Sequence, residues 1–196
     1  LLFSPFTRGK NIVHNLSTGM DVESTRQCLI QCGIESTQKN NTVEIFGSKL
    51  SHPKTSLNCG NSGTTTRLIA GLLAGQQINA KLIGDESLSS RPMNRIIQPL
   101  EKMGVDFSSK NGNLPIQIKG SKLSGIDYDI PIASAQVKSS LILAGLGCND
   151  KSKFTEISKT RNHTEIMLKN MGAEIQTNDL SISVNSLKRH LKNYEI

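Results

Sequence analysis

Three stretches of the chain repeat one pattern. LIQCGIESTQKNNTVEIFGS begins at Leu29, LEKMGVDFSSKNGNLPIQIKG at Leu100 and LKNMGAEIQTNDLSISVNS at Leu168. Each reads as the end of an amphipathic helix, a glycine in the helix-terminating position, and two short alternating strands around a polar turn. Gly33, Gly104 and Gly172 recur at intervals of about 70 residues, and self-similarity at a fixed period is the mark of a repeat architecture. The fold must therefore be one that a single unit can build three times.

The match extends upstream. Periodicity predicts a helix before each glycine, over 21–32, 92–103 and 162–171, with Pro92 suited to a first helical turn. A strand is predicted before each helix, over 11–16, 79–84 and 152–158. One step further back lie small-residue helices over 64–74 and 135–146, so the unit is helix, strand, helix, hairpin. In the first copy only LLFSPFTRGK matches the opening helix, as its tail, which predicts that the chain starts inside a longer protein. The third hairpin closes near Ser186, and LKRHLKNYEI begins a further element. No Pro/Gly/Ser-rich linker interrupts the copies, so residues 1–187 read as one domain and 188–196 as the start of a crossover out of it.

The segment Leu57–Gly75, LNCGNSGTTTRLIAGLLAG, joins a Gly/Asn/Ser/Thr loop to an apolar helix. Gly60 and Gly63 allow tight turns, Ser62 or Thr64 can cap the helix, and free amides at a helix N-terminus attract anions. The third copy has a parallel loop, ASAQVKSS, and the strand-to-helix loops GDESLSSRP and SKTRNHTE are also polar. Equivalent repeats bring these loops to one end of the domain. That end gathers Asn61, Gly63, Thr64, Arg67, Arg91, Ser134, Gln136, Lys138, Arg161 and His163 into an anion trap. Bland alternatives stand beside them: a well-capped buried helix for the 57–75 segment, Arg91 as a solvated loop charge, Ser134 as a plain N-cap, Gln136 as a capping side chain, Lys138 as a solvated or peripheral charge, Arg161 and His163 as helix-end charges.

The net charge of +7, from 23 Lys+Arg against 16 Asp+Glu, fits an anionic partner. The basic residues are scattered and aromatics are 4% with no Trp, which argues against a nucleic-acid binder and predicts an aliphatic core. Cys28, Cys32, Cys59 and Cys148 have no metal-ligand spacing and read as reduced thiols of a cytoplasmic protein, and no apolar run is long enough to span a membrane. Neither G-x-x-x-x-G-K-[ST] nor G-x-G-x-x-G is present, and no Ser/His/Asp set declares a hydrolase. From the residues alone, the site is one for a small, multiply anionic ligand.

LNCGNSGTTTRLIAGLLAG, GDESLSSRPMNRIIQPLEKMG, IASAQVKSSLILAGL and TRNHTEIML, in that order, resemble the 5-enolpyruvylshikimate-3-phosphate synthase family (3-phosphoshikimate 1-carboxyvinyltransferases). The resemblance implies an α/β fold of three βαβαββ repeats forming one domain of a two-domain enolpyruvyl transferase, an inside-out α/β barrel. It implies transfer of the enolpyruvyl group of phosphoenolpyruvate to the 5-hydroxyl of shikimate 3-phosphate, with release of phosphate and no metal or organic cofactor. By resemblance, Asn61, Gly63 and Arg91 meet phosphoenolpyruvate, Ser134, Ala135, Gln136 and Arg161 meet shikimate 3-phosphate, and Thr64 and Arg67 support them. The family's GDKS-x-S-x-R segment would precede Leu1. Its acid–base Asp and Glu would lie in the second domain, the chain's expected partner, leaving no catalytic residue in this chain. Two other functions share these repeats: UDP-N-acetylglucosamine enolpyruvyl transfer, and a non-catalytic module for phosphorylated ligands or RNA ends.

Overall fold

The computed structural model describes all residues, 1–196. A 3-10 turn, Ser4–Phe6, leads into the first copy: β1 (Gly9–His14), α1 (Met20–Gln31), β2 (Glu35–Lys39) and β3 (Thr42–Gly47). The second comprises β4 (Leu57–Asn58), α2 (Gly63–Gly75), β5 (Ala80–Ile83), α3 (Glu86–Ser89), α4 (Asn94–Lys102), β6 (Asp106–Lys110) and β7 (Asn113–Lys119). The third comprises β8 (Asp127–Ile130), α5 (Ala135–Gly145), β9 (Ser152–Glu156), α6 (His163–Asn170), β10 (Ile175–Asn178) and β11 (Ser181–Val184).

Each copy forms its own sheet, in the orders β1-β3-β2, β4-β5-β7-β6 and β8-β9-β11-β10. The leading strands β4 and β8 pair parallel to β5 and β9, and all other pairs are antiparallel. In the first sheet, the position beside β1 is taken by the C-terminal residues. Leu191 and Glu195 bridge in parallel to Thr7 and Ile12, and the Ile12 and His14 amides donate to the Tyr194 and Ile196 carbonyls at 2.9 and 2.7 Å. The last residues of the chain thus sit on the first copy's sheet edge.

The repeat signature is a helix C-cap built three times. Gly33, Gly104 and Gly172 have φ of 91°, 107° and 100°, a region that costs a side chain but not glycine. Beside them, the Ile34, Val105 and Ala173 amides reach back to the Leu29, Leu100 and Leu168 carbonyls at 3.0, 3.1 and 2.9 Å. The glycine amides bond the carbonyls of Ile30, Glu101 and Lys169, completing a Schellman motif in each copy. The leucine and the apolar residue after the glycine are buried in every case, so the cap also turns the chain into the hairpin.

Several predicted boundaries shift by one or two residues, β1 among them at Gly9–His14 rather than 11–16. Helix α4 starts at Asn94 rather than at Pro92, because the Met93 amide is bonded to the Gly112 carbonyl at 2.8 Å and Met93 serves as N-cap. The residues matching an opening-helix tail form only the 3-10 turn Ser4–Phe6. The core is aliphatic as expected, with Phe6 and Phe154 its only aromatic members. All four cysteines are buried and free. Burial pushes the Cys32 thiol up to about 12 and Cys148 to about 11. No helix is long and apolar enough to cross a membrane.

Helices α2 and α5 lie parallel and side by side at the centre, nearly all of their residues buried. Small residues set their separation: a Cβ on Gly71 would stand 2.1 Å from the Ser140 carbonyl oxygen, and one on Gly147 1.8 Å from that of Gly75. The Ser140 hydroxyl crosses the seam to the Arg67 carbonyl at 2.7 Å. Since backbone is what a new methyl would strike, Gly71→Ala must push the helices apart. The expected loss is about 1–3 kcal/mol, even though alanine favours helix by about 1 kcal/mol. Urea unfolding checks it: the midpoint falls with an unchanged slope, whereas an unmoved midpoint means the seam is not tight.

Candidate functional site

The parallel packing of α2 and α5 places their N-termini together. Ser62 caps α2, its Oγ accepting from the Thr65 amide at 3.0 Å, and Ser134 caps α5, accepting from the Val137 amide at 3.3 Å. Ser134 is therefore an N-cap, whatever else it does. The capped residues that follow, Gly63 and Thr64 on α2 and Ala135 and Gln136 on α5, hold amides with no carbonyl one turn back. Two helix dipoles end at one place with the same sign.

Gln136 bridges the two ends instead of capping its own helix. Its Oε1 accepts from Arg67 Nη1 at 2.9 Å and its Nε2 donates to Thr64 Oγ1 at 2.8 Å. Across from it, Arg91 donates through Nη1 to the Asn61 carbonyl at 3.3 Å and through Nη2 to Ser87 Oγ at 3.1 Å and to Asn61 Oδ1. Asn61 in turn donates to Asp85 Oδ2 at 2.7 Å. Hydrogen bonds from the Leu88 amide and the Asn61 side chain, and the charge of Arg91, hold Asp85 below the usual carboxylate range.

Gly63 is where these groups converge. A Cβ there would lie 2.7 Å from Arg67 Nη1 and 3.7 Å from Arg91 Nη1, so the bare α-carbon leaves room for two guanidiniums above it. Burial, then the charges of Arg95 and Arg91, lower the Arg67 pKa from its ordinary value. Arg95 is not among the residues expected from the sequence, although it lies four residues after Arg91, in the first turn of α4.

The second half of the site is a cleft of about 220 Å³ between α2, α5 and α6, with Thr64, Ala135, Gln136, Arg161 and His163 on its walls. Ser139 and Thr164 also line it and share a 2.8 Å hydrogen bond between their hydroxyls. A larger cleft of about 310 Å³ lies where Leu1–Phe3 face α2, but its walls are mostly apolar and hold no guanidinium. None of Arg67, Arg91, Arg95 and Arg161 forms an ion pair with a carboxylate. Unneutralised guanidiniums around two helix N-termini suit a ligand with several negative charges.

Of the residues predicted to meet here, Asn61, Gly63, Arg67 and Arg91 form one cluster, Thr64, Ala135, Gln136, Arg161 and His163 form the other, and Ser134 caps α5 beside the second without lining its cleft. The bond between Gln136 and Arg67 joins the two. Lys138 is the exception. Expected as a solvated charge, it is buried, with its ammonium 3.0 Å from Glu156 Oε2 and 2.8 Å from Glu165 Oε1. It points from α5 into the space under α6, where the two carboxylates neutralise it.

The chain matches the EPSP synthase (3-phosphoshikimate 1-carboxyvinyltransferase) family over residues 1–196. It is 46% identical over 187 residues to the 3-phosphoshikimate 1-carboxyvinyltransferase of Syntrophomonas wolfei, covering 93% of this chain and 44% of that protein. For the Oenococcus oeni protein of the same name the identity is 45% over 189 residues, covering 94% and 43%. A solved structure of EPSP synthase from Acinetobacter baumannii superposes with a TM-score of 0.93 at 38% identity, over 100% of this chain and 45% of that one. The chain thus spans less than half the length of these relatives. With its whole length matched, and the structural likeness extending through all three repeats, the chain belongs to the EPSP synthase family.

Proposed function

We propose that the chain forms one wall of a 3-phosphoshikimate 1-carboxyvinyltransferase site, which moves the enolpyruvyl group of phosphoenolpyruvate onto the 5-hydroxyl of shikimate 3-phosphate and releases phosphate. Residues 1–187 supply the first domain, and 188–196 run along the edge of its first sheet on the way towards the second, in a cytoplasmic enzyme. The observation that carries this reading is the set of guanidiniums without carboxylate partners around the N-termini of α2 and α5. Both substrates are polyanions, and holding them side by side requires fixed positive charge on both sides.

In this reading the Asn61, Gly63 and Arg91 cluster takes phosphoenolpyruvate, with Arg67 behind it. The Ser134–Gln136 turn and Arg161 take shikimate 3-phosphate. Gln136, bonded to both Arg67 and Thr64, stands at the junction where donor and acceptor must meet. Holding the two there makes the addition effectively unimolecular. The chemistry also needs a proton delivered to the enol carbon and one taken from the hydroxyl. Both steps are assigned to carboxylates of the second domain.

The purified chain is therefore expected to bind shikimate 3-phosphate weakly, with an affinity that falls as salt rises, and to form no product from the two substrates. Calorimetric titration at low and high salt, together with a phosphate-release assay, reads both outcomes. Product formation by the chain alone, or binding indifferent to salt, overturns the proposal.

A further inference from the structure

Lys138, Glu156 and Glu165 form a charged cluster with side chains only 1%, 6% and 3% exposed. It holds two carboxylates to one ammonium, and Glu165 Oε2 has no hydrogen-bond partner. Such a cluster is a poor way to stabilise a core, since apolar side chains of similar volume do as well or better. Its connections suggest another use.

Glu156 ends β9, and its Oε1 accepts from the Thr160 hydroxyl. Glu165 lies in the first turn of α6. Lys138 therefore grips the segment from Thr160 to Glu165 near both ends, and between those grips lie Arg161 and His163. Neither of these has a side-chain hydrogen bond of its own, so their placement over the cleft depends on where the backbone is held. On α5, Lys138 falls between Gln136 and Ser139, both of which face the cleft. One helical turn carries both a cleft-lining group and the anchor for the opposite wall. The ammonium itself faces a separate polar cavity of about 260 Å³ on the other side of the segment.

We infer that Lys138 is a positioning residue: with Glu156 and Glu165 it fixes the Thr160–Glu165 segment against α5, so that Arg161 faces Gln136 across the ligand cleft. It touches no ligand and moves no proton. The inference rests on the assignment of the cleft to shikimate 3-phosphate proposed above.

The test removes the charges while keeping the shape, in the chain carrying Lys138→Met, Glu156→Gln and Glu165→Gln together. Thr160 keeps an acceptor on Gln, and no buried charge is left uncompensated. Amide hydrogen exchange in α6, from the Ile166 amide that bonds the Asn162 carbonyl at 3.1 Å onwards, should quicken by about tenfold while α2 stays protected. The dissociation constant for shikimate 3-phosphate should rise about tenfold, but less than about twofold when the same three changes are made in an Arg161→Ala background. General loosening of the fold would weaken binding equally in both backgrounds, and that result overturns the inference. Unchanged exchange in α6 overturns it too, whether or not ligand binds. Failure of the unaltered chain to bind shikimate 3-phosphate refutes the proposed function instead, and exchange alone then decides the role of Lys138.

Discussion

Arg91→Ala, made in a two-domain enzyme that carries this chain as its first domain, should lower kcat/KM for phosphoenolpyruvate by roughly 10- to 10³-fold. Arg91 leaves the loop after α3 and is aimed by Asn61 and Ser87 towards the bare face of Gly63. Its partners are neutral, so the guanidinium's charge is left for a ligand. A fork held in this way can grip phosphate or carboxylate through two parallel bonds. Arg91→Lys should recover only part of the loss, since an ammonium is a point charge without the fork's geometry. Stability should change by no more than about 1 kcal/mol, as for other half-exposed charges with polar neighbours. Steady-state kinetics beside a thermal melt separates the alternatives. Full efficiency in Arg91→Ala, or activity lost only through unfolding, removes Arg91 from the substrate site.

The three C-caps are legible in the sequence while the burial of Lys138 is not, and the contrast shows which signals a sequence carries. The three C-caps were readable because a Schellman motif is local: a leucine, four residues later a glycine, then an apolar residue, all in one short window. The hairpins were readable for the same reason. In β7, Leu114, Ile116 and Ile118 are buried and alternate with the exposed Pro115, Gln117 and Lys119. The opening helices were visible from their small and apolar residues, and their side-by-side packing followed from the repeat.

The missed elements depend on partners far along the chain. Strand β4 is two residues long and β8 four, too short to show alternation, and each exists because it pairs in parallel with a later strand. Their place in the unit came from the family resemblance, not from periodicity. Helix α3 is a single turn inside a polar loop, capped by the Asp85 side chain at the Leu88 amide. Arg95 was overlooked because its relation to Arg67 is purely spatial. Gln136 was legible as a site residue with capping as the alternative, but its bridge between the two halves of the site depends on the approach of α2. Lys138 sits in a run, AQVKSS, with nothing nearby to pair with. Its carboxylates lie 18 residues on, at the end of another strand, and on a different helix.

That hidden pairing makes Lys138→Met alone the substitution with the largest expected effect on stability. Methionine fills the volume of the lysine stem, so little packing is lost. What changes is the charge: Glu156 and Glu165 remain, both buried and now without the ammonium that lies 3.0 and 2.8 Å from them. Removing one member of a buried ion pair costs about 3–5 kcal/mol, because the survivor is left uncompensated in a poorly solvated place. Here two carboxylates are left facing the same cavity, so the upper part of that range is expected. For a chain of this size about 4–5 kcal/mol corresponds to a fall in melting temperature of roughly 8–20 °C. The three-residue replacement, which neutralises all members together, should recover most of the loss. The comparison isolates charge from shape, because methionine occupies position 138 in both proteins. If Lys138→Met melts within a few degrees of the unaltered chain, the carboxylates have found solvent or another partner, and Lys138 is not what compensates them. If both variants fall equally, the lysine's stem rather than its charge supports the fold.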